Sequence, residues 1–235
     1  MEKYTISCFN QPVKELIEEY ESGKITILYG NSASGITTSC LLAAISCAKQ
    51  GNKVIYVDTE SNFNSERLKQ LYFGDIKDIL DNIFLIQPKT FKEQHDTILK
   101  LKKLCEDEKI KLIIVDTIGS KYRVNINNDA KKINKMMVDQ LKTLVRIARD
   151  LNKIVLMTNQ VGAKLDGSDE IKMVGGKMIE NMAKVIIELR KKDEKRTARL
   201  VKYKYDCEEE DKEKTHPNLD KEIEFEIKEK GLFLI

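Results

Sequence analysis

Ile25-Thr26-Ile27-Leu28-Tyr29-Gly30-Asn31-Ser32-Ala33-Ser34-Gly35-Ile36-Thr37-Thr38 is the stretch on which the reading of this chain turns. Residues 25–29 are β-branched, apolar or aromatic and read as a strand. A Gly-x4-Gly loop follows, then a helical stretch from Ser39 to about Gln50 that closes near Gly51. Strand, glycine loop and helix together make a phosphate cradle. The glycines let the backbone curl so that successive N–H groups converge, and the helix N-terminus adds its positive end. Gly30, Asn31, Ser32, Ala33, Ser34, Gly35, Ile36, Thr37 and Thr38 are therefore the candidate contacts to a phosphate chain. Thr37 stands where a hydroxyl would ligate Mg²⁺. Position 36 breaks the pattern, because the lysine that normally reaches the outer phosphates is isoleucine. A hydrogen bond to a charged group contributes about 1.5–3 kcal/mol, so its loss weakens binding roughly 10- to 150-fold. Hydrolysis loses more, since the same charge stabilises the transition state.

Outward from this loop, short apolar runs at residues 54–58, 83–86, 112–116, 154–159 and 185–190 read as further strands, compact and nearly free of polar residues, as in a parallel sheet buried on both faces. Between them, Phe91, Ile98, Leu101 and Cys105 follow the helical period, as do Ile133, Met136, Met137, Leu141, Leu144, Val145, Ala148 and Leu151. Alternating strand and helix imply right-handed crossovers. In residues 197–204, 222–227 and 231–235 apolar and polar positions alternate, which predicts antiparallel strands at the sheet edge. The mixed-charge run 208–214 reads as a solvated hairpin loop. The fold class expected is α/β: a P-loop NTPase core with a doubly wound, mostly parallel sheet and antiparallel C-terminal edge strands. No linker or repeat divides it, so residues 1–235 are read as one domain.

Three strands end in polar residues that suggest chemistry. Asp58-Thr59-Glu60 closes the run at 54–58, at the end where α/β proteins bind ligands. Glu60 is placed to polarise an attacking water; the alternative is an acid at a helix N-terminus. Asp116 ends a hydrophobic run, as in a Walker B strand, and would hold the Mg²⁺ shell through water. Thr158-Asn159-Gln160 ends the next strand, and Gln160 could sense a γ-phosphate, with simple capping of the strand end as the alternative.

The bulk composition excludes other classes. Lys+Arg is 41 against Asp+Glu 38, so no strongly basic field covers the whole protein and any nucleic acid must meet a local patch. The five cysteines, Cys8, Cys40, Cys47, Cys105 and Cys207, include no Cys-x-x-Cys pair, so neither a disulfide framework nor a zinc knuckle is expected. They read as small buried hydrophobes in a reducing cytoplasm. No signal core or membrane-length apolar run is present. His95 reads as a packed helix residue.

Together these residues resemble the RecA-like recombinase family of archaea and eukaryotes. Asp58-Thr59-Glu60-Ser61-Asn62-Phe63-Asn64-Ser65-Glu66-Arg67 is similar to that family's Asp-Thr-Glu-x-x-Phe-x-x-Glu-Arg segment. Residues 112–117 with Tyr122-Arg123, residues 157–161, Gly175-Gly176-Lys177 and residues 185–191 resemble later parts of the same core. The likeness runs from about Ile6 to Lys204. It is strongest to the short archaeal paralogues of the RadA-type recombinases, because the core begins almost at Met1 and leaves no room for a helical N-terminal domain. The resemblance implies an ATP and Mg²⁺ site with Glu60 as catalytic carboxylate, Gln160 as γ-phosphate sensor and Arg67 stacked on adenine. It also implies that the loops 123–135 and 163–177 face single-stranded DNA, using Arg123, Lys131, Lys132, Lys135, Lys164, Lys172 and Lys177; ordinary solvated lysines are the alternative. A RadA-type recombinase, a Holliday-junction resolvase or a second copy of the chain are the protein partners it suggests. Ile36, Ala33 in place of a further glycine, and Phe9 without a Phe-x-x-Ala motif depart from the family pattern. They favour a DNA repair and recombination accessory with weak or no ATP hydrolysis, or else a non-hydrolysing regulator.

Overall fold

The computed structural model describes residues 2–127, 129–162, 172–205 and 215–235. The chain opens on an antiparallel ribbon of β1 (Thr5–Ser7) and β2 (Glu19–Glu21), with α1 (Gln11–Ile17) between them. Sequence periodicity did not reveal these pieces, which are too short to show one. Their signals are local: Asn10 caps α1 by accepting the Val13 N–H, and Pro12 lies in the first turn, where an N–H is not needed. The main body then runs β3 (Ile25–Gly30), α2 (Ile36–Lys49), β4 (Lys53–Asp58), α3 (Ser65–Leu71), α4 (Ile76–Leu80), β5 (Ile83–Ile86) and α5 (Phe91–Leu104). It continues through β6 (Ile110–Asp116), α6 (Ser120–Asn125), α7 (Ala130–Asp150), β7 (Ile154–Gly162), β8 (Lys172–Met173) and α8 (Gly176–Glu180). It closes with β9 (Val185–Lys192), β10 (Lys195–Tyr203), β11 (Glu222–Lys228) and β12 (Gly231–Leu234).

The sheet order is β12-β11-β10-β9-β3-β7-β6-β4-β5, with a short β8 on β7. The strands from β9 to β5 are parallel, and β9 to β12 form an antiparallel meander. Alternate residues of each central strand feed two cores. Leu28, Tyr56, Ile114, Leu156 and Leu189 pack with α1, α2, α3 and α4 on one face. Ile27, Val57, Val115, Met157 and Ile186 pack with α5, α6, α7 and α8 on the other. That two-sided covering explains the continuous apolar runs in sequence. The mixed α/β sheet with antiparallel edge strands is the architecture expected.

Three local expectations are corrected. The run 83–86 is not buried on both faces: as β5 it pairs, among the described residues, only with β4, and Phe84 and Leu85 are exposed. Helix α2 begins at Ile36 rather than Ser39, because Gly35, at φ 100°, turns the chain straight into the helix. Segment 123–135 is mostly helix, with Arg123 in α6 and Lys131, Lys132 and Lys135 in the first turns of α7. Cys8, Cys40, Cys47 and Cys105 are free and buried, as expected; Cys207 and the charged run 208–214 lie outside the described residues. Among the described residues no helix is long and apolar enough to cross a membrane.

Candidate nucleotide site

Strand β3 ends between β7 and β9, with Gly30 in register with Gln160 on one side and Leu189 on the other. Here the loop begins, and β9 presses against it so closely that a Cβ on Gly30 would lie 1.8 Å from the Leu189 carbonyl oxygen. Asn31 fastens the next residue to β9: its amide donates to the Lys191 carbonyl at 2.7 Å, and its carbonyl accepts the Lys191 N–H at 2.8 Å. Arg196 on β10 reaches over the loop and donates from Nε to the Ala33 carbonyl at 3.1 Å. The loop therefore holds its curl through contacts to the far strands. Helix α2 has no side-chain cap at its N-terminus. The Ser34 hydroxyl, in a residue only 1% exposed, has no hydrogen-bond partner among the described residues. An uncapped helix end and an orphaned buried hydroxyl beside it suit a phosphate group.

The loop residues 30–38 line a cavity of about 680 Å³, together with Glu60, Asn62, Asp116, Thr117, Asn159, Gln160, Val161, Arg196 and Ile227. Asp116 is buried and accepts from Tyr56 Oη at 2.9 Å and Thr158 Oγ1 at 2.7 Å. Burial pushes its carboxyl up, against the lowering effect of the Thr158, Tyr56 and Thr37 hydroxyls, and the nearby Asp58 adds to the rise. Thr37 and Asp116 both line this cavity. Among the described residues no group of three or more His, Cys, Asp and Glu could hold a metal. A magnesium here would depend on these two residues plus water and ligand oxygens, the mode usual for that ion.

Asp58 shapes the site from behind. Its buried carboxylate accepts the N–H groups of Glu60, Asn62 and Phe63 at 3.3, 3.0 and 3.0 Å, and the Gln87 amide at 2.9 Å. That tight turn delivers Glu60 into the cavity. Thr59 locks the ends of β4 and β6 together: its hydroxyl donates to the Thr117 carbonyl at 2.8 Å and accepts the Thr117 N–H at 2.9 Å. Glu60, half-buried, accepts from Gln160 Nε2 at 2.5 Å. Burial raises its carboxyl, the Ser120 hydroxyl lowers it, and Asp116 raises it further. Each polar residue at the end of β7 has its own task. Thr158 donates to Asp116, Asn159 donates to the Val174 carbonyl at 2.7 Å, and Gln160 meets Glu60. Glu60, Asp116 and Gln160, distant in sequence, are thereby brought together with the whole loop.

Arg67 does not line this cavity. Its guanidinium bonds the Lys228 and Glu229 carbonyls at 2.9 and 2.8 Å, tying α3 to the turn between β11 and β12. Arg123, Lys131, Lys132, Lys135 and Lys177 are exposed; Lys164 lies outside the described residues, and Lys172 is placed only as backbone of β8. His95 is half-buried, with Nδ1 3.2 Å from the Met136 carbonyl. The sequence reading missed Asn62, Thr117, Asn159, Val161, Arg196 and Ile227 in the lining, and Tyr56 as the partner of Asp116. Tyr56 carries one usable signal, a hydroxyl within an otherwise apolar buried strand. Arg196 and Ile227 carry none, because only the folding back of β10 and β11 brings them to the loop.

A parallel sheet that holds a phosphate loop, a buried strand-end aspartate and a facing Glu–Gln pair defines a RecA-like P-loop core. The match to known proteins narrows the class. The Rad51 family model matches residues 7–232, and the chain belongs to that family. Within it, the chain is similar to proteins named DNA repair and recombination protein RadB. The Archaeoglobus fulgidus protein is 38% identical over 187 residues, covering 79% of this chain and 82% of the relative. The Methanocaldococcus jannaschii protein is 34% identical over 223 residues, covering 94% and 97%. A crystal structure of the RadB recombinase superposes with a TM-score of 0.79 at 30% identity, covering 98% of this chain and 99% of that one.

Proposed function

We propose that this chain, one RecA-like core over residues 1–235, is an accessory protein of DNA repair and homologous recombination. In this reading it binds Mg-ATP in the loop cavity, binds single-stranded DNA, and hydrolyses ATP weakly or not at all. One observation carries the reading: Glu60, Gln160, Asp116 and Thr37 surround the loop, while position 36 offers no charge. The loop N–H groups and the orphaned Ser34 hydroxyl would hold phosphate oxygens. Thr37 and Asp116 would hold Mg²⁺, which supplies charge neutralisation when bound. Glu60 would orient a water and Gln160 would report the γ-phosphate. Their mutual hydrogen bond supports a link between the two tasks, since a ligand that engages one must release the other. Arg123, Lys131, Lys132, Lys135, Lys164, Lys172 and Lys177 would neutralise DNA phosphates without reading sequence.

Fluorescence anisotropy with labelled single-stranded DNA at low salt, with and without Mg-ATP, tests the proposal. Binding at micromolar protein is expected; no binding at tens of micromolar in either condition rejects it. Ile36 favours a second reading, a non-hydrolysing regulator that engages a recombinase or a junction resolvase. Steady-state turnover that Glu60→Gln abolishes would reject that second reading.

A further inference from the structure

We propose that Arg196 supplies, from strand β10, the positive charge that Ile36 withholds, and contacts the phosphate chain of the bound nucleoside triphosphate. This rests on the nucleotide reading above and adds the residue that makes it electrostatically workable.

The placement follows from register. Arg196 lies opposite Lys191 on β9 and opposite Phe225 on β11. Paired residues of antiparallel strands share a face, and Phe225 is buried in the core beneath α2. Two residues on, Ala198 pairs with Leu189, and both belong to the same core. Arg196 therefore leaves the sheet on the side of α2 and the loop, just past the end of that core. Its Nε is already 3.1 Å from the Ala33 carbonyl. That bond uses one of the five N–H donors of the guanidinium fork and leaves four for an anion.

The charge count points the same way. Among the described residues lining the cavity, Arg196 is the single Lys or Arg, and Glu60 and Asp116 are both acidic. A triphosphate would bring several negative charges beside two carboxylates, and unscreened repulsion at such distances is large. Backbone N–H groups and a magnesium offset part of it. A side-chain cation is what the loop itself lacks, and Ile36 cannot provide one, being half-buried against the core under α2. An arginine suits the role, because its planar fork binds phosphate oxygens in pairs and stays charged at any working pH.

A purely mechanical role, holding Ala33 in place, is the competing explanation, and a double-mutant cycle separates the two. Calorimetric titration of Mg-ATP into the full chain compares wild type, Arg196→Ala, Ile36→Lys and the double variant, with the melting temperature of each. Arg196→Ala should weaken ATP binding about 10- to 150-fold. In the Ile36→Lys background, where a lysine restores the charge, the same change should cost less than about threefold. Arg196→Lys, which keeps a charge, should lose less than Arg196→Ala, and it keeps the comparison readable if the alanine variant is unstable. Equal losses in both backgrounds would make Arg196 a mechanical staple and overturn the proposal. Wild-type binding that Arg196→Ala leaves unchanged would overturn it while the nucleotide reading stands. No binding of ATP by the wild type would overturn the nucleotide reading, and this proposal with it.

Discussion

Gly30→Ala measures how hard β9 presses on the phosphate loop. The added Cβ would lie 1.8 Å from the Leu189 carbonyl oxygen and 2.9 Å from both the Leu189 carbonyl carbon and Ser34 Oγ. To regain ordinary contact the carbonyl must retreat by about 1.6 Å, far enough to end any hydrogen bond it accepts. Overpacking of this kind costs about 1–3 kcal/mol, and a lost backbone hydrogen bond adds about 0.5–1.5 kcal/mol. Gly30 is not among the glycines with positive φ, so alanine meets no backbone penalty there. It recovers about 0.4–1 kcal/mol through the unfolded chain. The balance is a loss of about 0.5–4 kcal/mol, centred near 2, and that centre corresponds to roughly 4–8 °C in Tm for a chain of this size. Urea unfolding followed by circular dichroism reads the first quantity and a thermal melt the second. Gly51→Ala serves as control: its Cβ would meet nothing within 4 Å, so only its φ of 73° is penalised, by about 1 kcal/mol. Stability of Gly30→Ala within about 0.5 kcal/mol of wild type would refute the idea that packing of β9 against β3 sets the start of the loop.

The carboxylates give a signed dependence on pH. Burial raises both Asp116 and Glu60 in the folded state, so their contribution to stability is complete below the usual carboxylate range and is lost as pH rises through the raised values. Asp116→Asn should therefore gain on wild type between pH 4 and pH 8 in urea unfolding, and parallel curves would contradict this. Tyr56→Phe removes a hydroxyl 2.9 Å from that carboxylate. It should lose about 1.5–3 kcal/mol when Asp116 is ionised, and less at acid pH; a loss independent of pH would count against the bond. Replacing Arg123, Lys131, Lys132 and Lys135 together by alanine should flatten the salt dependence of single-stranded DNA binding by about 0.7 in log–log slope per phosphate contact removed. An unchanged slope would place DNA elsewhere.

What was legible in the sequence followed from repetition and from strand ends. Buried strands such as β4 and β6 announce themselves because both faces are covered and their central residues, 54–57 and 112–115, are apolar or aromatic up to a closing aspartate. That last position is where ligands bind, so Asp116, Glu60 and Gln160 stood out by contrast. The edge strand β5 wore the same composition, and nothing in Ile83-Phe84-Leu85-Ile86 says that one side goes unpaired. Pairing partners are a property of the sheet and not of the strand. Arg196 illustrates the same limit: 163 residues beyond Ala33, it reaches that carbonyl only because β10 folds back antiparallel on β9.

The departure at position 36 gains meaning from the C-terminal hairpin. A Cβ on Gly35 would lie 3.0 Å from Leu232 and 3.1 Å from Ile227, and Ile36 packs against the same core as those two residues. Arg67 clasps the hairpin turn from outside through the Lys228 and Glu229 carbonyls. An apolar residue at 36 thus joins the core that the β11–β12 hairpin also packs on, where a lysine would have to leave its stem in that core and carry its charge out to the phosphates. The loop is then ordered by its neighbours: Asn31 on β9, Arg196 above Ala33, the hairpin beneath Gly35. Order in the loop and affinity for a nucleotide become separate quantities. A loop that is preformed spares a ligand the entropy of arranging it, so the loss of the lysine's charge does not by itself imply the loss of the site.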